Sequence, residues 1–194
     1  MKHVTVFILL MACALSGFGR AAAVLAQTNG KAVDWREELK KAQAHLQKEP
    51  KSAFWHNQAG IAYDALGETS NAEKELTLAA KLDSYNPIGY YTLYAFYQRK
   101  GTLSQQRKAL LNALEIDSGN PLGHFELAGA LEKEGYLEES LKEYRTAKRL
   151  ISGSQRNQYT DARGNPYEID VVRRKVNSCI DRVTKLESSR PAQK

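Results

Sequence analysis

Residues 53–86 read AFWHNQAGIAYDALGETSNAEKELTLAAKLDSYN, residues 87–120 read PIGYYTLYAFYQRKGTLSQQRKALLNALEIDSGN, and residues 121–154 read PLGHFELAGALEKEGYLEESLKEYRTAKRLISGS. Gly67, Gly101 and Gly135 stand 34 residues apart, as do Ala79, Ala113 and Ala147, then Leu82, Ile116 and Leu150, then Ser84, Ser118 and Ser152. Asn86-Pro87 returns as Asn120-Pro121. Several residue types holding one period mark a stacked repeat.

Each unit reads as two helices. In the first unit Ala59, Gly60 and Tyr63 recur at helical spacing, and Gly67 ends the helix, because glycine tolerates the left-handed backbone of a C-cap. The second helix is expected to start near Ser70 as N-cap, with Glu73 three residues on, and to carry Ala72, Leu76, Ala79 and Ala80 inward. Pro87 then opens the next unit and keeps Asn86 out of helical geometry. Gly60, Ala79, Ala113, Ala128 and Ala147 supply hollows for Tyr63, Leu76, Leu110, Leu131 and Tyr144, which lets antiparallel helices approach closely. One such unit cannot bury its apolar face alone; a stack of three makes a continuous core.

The unit resembles the tetratricopeptide repeat. Ala59-Gly60, Tyr63, Leu66-Gly67, Ala72, Leu76 and Ala79 carry the pattern in the first unit; Leu93, Tyr97, Gly101, Leu110 and Ala113 in the second; Leu127-Ala128, Leu131, Gly135, Tyr144 and Ala147 in the third. Tyr94 stands where the pattern has a small residue, and Gln106 and Ser140 stand where it has alanine, so these contacts are expected to be weaker. The resemblance covers 53–154 and implies an all-α, right-handed solenoid of three helix–turn–helix units. The pentatricopeptide repeat, which binds RNA, has a longer period and is disfavoured.

The flanks read as caps. Residues 34–49 place Trp35, Leu39, Ala42 and Leu46 on one helical face, with Asp34 as N-cap and Pro50 beyond the end. Residues 170–187 align Val172, Val176, Cys179, Ile180, Val183 and Leu186, with Arg173, Arg174, Lys175, Arg182 and Lys185 mostly opposite. Between the last unit and this closing helix, 155–169 contains Gly164-Asn165-Pro166 flanked by Tyr159 and Tyr167, a small β-hairpin signal. Residues 27–33 and 188–194 read as a linker and a tail.

The first 26 residues have the layout of a secretory signal peptide: Lys2 and His3, an apolar run from Val4 to Phe18, and small residues up to Ala26. The expected location is therefore exported, periplasmic or extracellular. Two alternatives are a retained N-terminal anchor and a lipoprotein acylated at Cys13, since Leu10-Met11-Ala12-Cys13 approaches a lipobox. Cleavage after Ala26 leaves Cys179 as the one cysteine, which forms no internal disulfide.

Charge is uneven. Residues 27–140 carry 13 basic and 16 acidic groups, whereas 141–194 carry 13 basic and 6 acidic. The basic end fits an anionic membrane surface or an acidic partner, and export argues against nucleic acid.

Motifs that carry chemistry are scarce in the chain. His45, His56 and His124 lie on separate helices without metal-ligand spacing, and His56 and His124 share the fourth place of their units, as packing residues would. No phosphate loop, Cys-x-x-Cys or nucleophile elbow occurs. The expectation is a protein that is not an enzyme and uses no cofactor or metal. The resemblance implies peptide binding on a concave face lined by the first helix of each unit. The groove residues it implies are Phe54, Asn57, Gln58, Ile61 and Asp64; Tyr91, Thr92, Ala95, Gln98 and Arg99; and Phe125, Glu126, Gly129, Glu132 and Lys133. Tyr91 is expected to anchor a ligand there, while Tyr94 and Tyr97 pack inward and Tyr90 meets a neighbouring unit. The clamp that some family members use for a C-terminal carboxylate is absent, since Ile61, Thr92, Leu122 and Glu126 hold four of its five places and only Asn57 fits. The partner is expected to be a protein or peptide in an envelope assembly or secretion process. Alternatives are a membrane-surface structural protein that uses the basic C-terminal region, and an accessory subunit of an envelope enzyme. Oligomeric state stays open.

Overall fold

The two asparagines that precede proline start their helices in the same way. Asn86 Oδ1 accepts from the Ile88 N–H at 3.1 Å, and Asn120 Oδ1 accepts from the Leu122 and Gly123 N–H groups at 3.0 and 3.2 Å. Proline follows at the first helical position, where its missing N–H forfeits no bond.

The computed structural model describes residues 33–153, 159–160, 166–167 and 169–189. Among them, eight helices follow one another: α1 (Trp35–Lys48), α2 (Ala53–Ala65), α3 (Thr69–Leu82), α4 (Pro87–Lys100), α5 (Leu103–Ile116), α6 (Pro121–Glu134), α7 (Leu137–Gly153) and α8 (Ile169–Ser188). Two short strands, β1 (Tyr159–Thr160) and β2 (Pro166–Tyr167), pair antiparallel between α7 and α8. The expected signal segment 1–26, with Cys13, lies outside the described residues, as do 27–32, 190–194 and the Gly164-Asn165 turn. No helix among the described residues is long and apolar enough to cross a membrane.

Each helix packs chiefly on the next, so α2–α3, α4–α5 and α6–α7 form stacked hairpins, with α1 against α2 and α8 against α7. The hairpin turns are tighter than the sequence suggested. Gly67 (φ 82°) and Gly135 (φ 87°) adopt the left-handed region, and the N–H groups of Glu68 and Tyr136 return to the carbonyls of Tyr63 and Leu131 at 2.9 Å. After such a turn α3 begins at once. Glu68 holds the cap position, and Ser70, expected there, falls inside the first helical turn. Gly101 keeps the period for a different reason. Its backbone is extended (φ −113°), and a Cβ there would stand 2.6 Å from Tyr97 Cδ1. Space, not backbone handedness, demands glycine at that position.

Inside each hairpin, small residues face large ones. A Cβ on Gly60 would sit 2.6 Å from Leu76 Cγ, so the two backbones meet where glycine leaves room. Leu76, Leu110 and Tyr144, one per unit, are at most 2% exposed. Burying a leucine of this kind contributes about 1.5–3 kcal/mol. The departures from the repeat pattern turn out to be compensated. Gln106 Nε2 donates to the Tyr97 carbonyl at 3.1 Å, and the fully buried Ser140 Oγ donates to the Ala128 carbonyl at 2.8 Å. Each ties the second helix of its unit back to the first through a bond that alanine could not make. His56 and His124 also link hairpin partners: Nδ1 contacts Glu75 (2.6 Å) or Glu143 (2.5 Å), and Nε2 contacts the Pro50 or Ser118 carbonyl at 3.0 Å.

Both ends are closed. Asp34 Oδ1 accepts from the Arg36 and Glu37 N–H groups and caps α1, which turns Trp35, Leu39, Ala42 and Leu46 toward α2. In α8, Val172 and Val176 join Ala147 and Ile151, while Val183 joins Ala128, Leu137, Leu141 and Tyr144. Leu186 departs from the expected stripe and is 45% exposed. Cys179 is half-buried with a free thiol.

Candidate functional site

The face formed by α2, α4 and α6 holds the expected groove positions, but far fewer of them are open than the helical count implied. Asn57, Tyr91 and Ala95 are 3%, 7% and 9% exposed. Gln58, Ile61, Thr92, Phe125 and Gly129 are half-buried, while Phe54, Arg99 and Lys133 are exposed. The reason is stacking. The second helix of one unit packs on the first helix of the next, so residues counted as facing a ligand instead meet a neighbouring unit.

Tyr91 shows this most directly. Its hydroxyl would meet a Cβ on Gly123 at 2.7 Å, and it lies in the core with Leu93, Leu114 and Leu127. Burial pushes its phenol well above the usual range, with the Asp117 charge adding to the effect. The hydroxyl sits beside Asp117 and Asn120 but makes no hydrogen bond of normal geometry. It is a packing residue, not a ligand anchor. Phe125 likewise packs under α8 and against Tyr144, with ring centroids 5.6 Å apart.

Several polar groove positions are already paired. Arg99 pairs with Asp64 at 2.5 Å, about one repeat away in sequence. Glu126 accepts from the Tyr94 hydroxyl, and Gln98 Nε2 donates to that same hydroxyl. Burial raises the Glu126 carboxyl above the usual carboxylate range, and the Tyr94 hydrogen bond only partly reverses this. Glu132 accepts both Arg182 nitrogens, at 2.9 and 2.8 Å, and the Tyr144 hydroxyl at 3.0 Å. These links stitch α2 to α4, α4 to α6 and α6 to α8. Thr92 Oγ1 donates to the Ile88 carbonyl of its own helix.

A recess opens on this face. It lies between α2, the end of α3 and the start of α4 and is lined by Ala53, Phe54, Asn57, Ala79, Asp83, Asn86, Ile88 and Gly89. Phe54 and Ile88 are each 38% exposed, and Tyr85 close by is 91% exposed. Neither amide atom of the buried Asn57 has a hydrogen-bond partner. Phe54 and Asn57 were expected at the site. Asp83, Asn86, Ile88 and Gly89 were not, because they belong to the junction with the next unit. Alignment of the units does carry a signal for them, since Asn57 stands where the other units have Tyr91 and Phe125. Among the described residues no group of three His, Cys, Asp or Glu side chains is placed to hold a metal ion.

No protein-family model matches the chain, and no curated protein does. Solved structures do. The type III secretion chaperone SycD of Yersinia enterocolitica, in complex with a peptide of the translocator YopD, aligns at TM-score 0.54 and 18% identity, over 68% of this chain and 92% of that one. MamA aligns at TM-score 0.55 and 17% identity, over 80% of this chain and 90% of that one. PcrH in complex with the chaperone-binding region of PopD aligns at TM-score 0.53 and 16% identity, over 78% and 95%. Likeness at this identity defines the fold: the chain is a tetratricopeptide-type α-solenoid.

Proposed function

We infer that this protein is a non-catalytic scaffold that captures an extended segment of a partner protein on the face built by α2, α4 and α6. The observation that carries the reading is the recess at the junction of the first two units, where Phe54 and Ile88 stand exposed above an unpaired, buried amide. A peptide offers both the apolar side chains and the hydrogen-bonding groups that such a place lacks. The SycD and PcrH structures, which hold a peptide of the translocator YopD and the chaperone-binding region of PopD on the same fold, support it. The signal-like first 26 residues and this secretion context together favour a role in envelope assembly or secretion. The test is capture from envelope extract by the full chain and by a Phe54→Ser/Ile88→Ser variant, with circular dichroism as the folding control. Loss of a specific partner in the folded variant upholds the reading; an unchanged set of partners removes it.

One further observation favours a second reading. Lys142, Arg145, Lys148 and Arg149 are all exposed on α7, a basic stripe suited to an anionic lipid surface. Salt-sensitive cosedimentation with phosphatidylglycerol vesicles supports it, and absence of binding at low salt removes it.

A further inference from the structure

The three unit junctions can be compared position by position. Asn57, Tyr91 and Phe125 occupy one place in the repeat, 34 residues apart. At the second junction the Tyr91 side chain fills the space between α4, α5 and the start of α6, with Gly123 making room for its hydroxyl. At the third, Phe125 fills the space under α8. The first junction has walls at the same repeat positions, Ala79 for Ala113, Asp83 for Asp117, Asn86 for Asn120, Ile88 for Leu122 and Gly89 for Gly123, with Ala80 in place of Leu114 beside the glycine. Its central residue, however, is asparagine, which is too short to fill it. A recess of about 90 Å³ remains, open to solvent past Phe54 and Ile88.

The polar groups around the recess are not equally available. Asp83 accepts from Asn86 Nδ2 at 3.1 Å, and Asn86 Oδ1 accepts from the Ile88 N–H at 3.1 Å. Asn57, 3% exposed, keeps one free donor group and one free acceptor. A phenol hydroxyl matches that pair, since it donates to the amide oxygen and accepts from the amide nitrogen. An anionic end group would instead meet the Asp83 carboxylate.

We propose that the recess between the first two units receives a tyrosine side chain of the bound peptide, hydroxyl end first, in the space that Tyr91 fills at the next junction. The ring lies against Ala79 and Gly89, flanked by Phe54 and Ile88, and the hydroxyl bonds with the Asn57 amide. The proposal rests on the scaffold reading above and names the side chain that the scaffold selects.

The test uses the full chain and N-acetyl-tyrosinamide as probe, followed by amide chemical shifts. Its phenylalanine and phosphotyrosine counterparts serve as comparators. The expected result is saturable shifts at Asn57, Ile88 and Gly89, with tyrosine bound roughly fivefold or more tightly than phenylalanine, the discrimination one hydroxyl hydrogen bond provides, and no binding of phosphotyrosine. Asn57→Tyr fills the recess from within and is expected to weaken tyrosine binding about tenfold or more. Asn57→Ala keeps the space and removes the amide, so it is expected to bind both uncharged probes alike, which keeps the test valid even if Asn57→Tyr does not fold. Equal affinity of the native chain for tyrosine and phenylalanine overturns the proposal. So does tyrosine binding that survives in a folded Asn57→Tyr variant, or no localised shift at all. Undiminished partner capture by folded Asn57→Tyr also overturns the tyrosine recess while leaving the scaffold reading intact. Amide-dependent tyrosine binding with no captured partner upholds the recess and removes the scaffold reading.

Discussion

Tyr91 and Tyr144 are both nearly inaccessible, yet their hydroxyls should respond in opposite directions to the same chemical change. Tyr91 is 7% exposed, and its hydroxyl, beside Asp117 and Asn120, makes no hydrogen bond of normal geometry. Tyr144 is 2% exposed and donates to Glu132 at 3.0 Å. Deleting an unsatisfied buried polar group removes a desolvation cost of about 1–3 kcal/mol. The small void left against Gly123 returns a few tenths of a kcal/mol at about 24 cal/mol per Å³. Tyr91→Phe is therefore expected to stabilise the fold by about 1 kcal/mol, which for a chain of this size raises the melting temperature by about 2–4 °C. Tyr144→Phe loses a bond to a carboxylate, so it should destabilise by about 1 kcal/mol, the loss being limited because Arg182 continues to hold Glu132. Thermal and urea unfolding, followed by far-ultraviolet circular dichroism, measure both. A lowered melting temperature for Tyr91→Phe would refute the reasoning, because it would mean that Asp117, Asn120 or a trapped water satisfies the hydroxyl.

Three other perturbations follow from the same packing. Burial raises the folded-state affinity of Glu126 for its proton, so between the ordinary carboxylate range and the raised value the folded chain holds a proton that the unfolded chain has released. Stability from this group is thus present in acid and lost as pH rises through that window. Glu126→Gln, which still accepts from Tyr94, should be more stable than the native chain at neutral pH and equal to it in acid; a pH series of urea midpoints decides. Gly60→Ala places a Cβ 2.6 Å from Leu76 Cγ and should cost about 1–3 kcal/mol, read as a lower urea midpoint at unchanged slope. Arg99→Ala removes an ion pair whose arginine is 46% exposed, so its effect on the melting temperature should correspond to less than about 1 kcal/mol and diminish in high salt.

The sequence displayed the array well because its signals are local. The left-handed Gly67 returns at Gly135 and the asparagine cap before Pro87 returns at Asn120, while the glycine under Leu76 belongs to the first unit alone. The end helices were legible for the same reason, since Asp34 and the valine stripe of α8 are one-helix patterns. The openness of the binding face was not legible. Helical periodicity gives the side on which Tyr91 lies, but not that Gly123 and Leu114 press on that side. Nor does it tell that Asp64 spends its charge on Arg99, or Glu132 on Arg182. Those facts depend on how far one unit advances over the last, which is a property of the stack.

That distinction bears on where selectivity resides. Along α6, Glu126 and Glu132 of the expected groove are already engaged, so a ligand that contacted them would first have to break Tyr94–Glu126 or Arg182–Glu132. The Tyr94–Glu126 bond is part-buried, and breaking it costs more than a new exposed one returns. The first junction carries no such cost. Asn57 has no hydrogen bond of its amide to give up. A repeat array whose units are tied together in this way discriminates best where one unit lacks the residue that would have completed the tie.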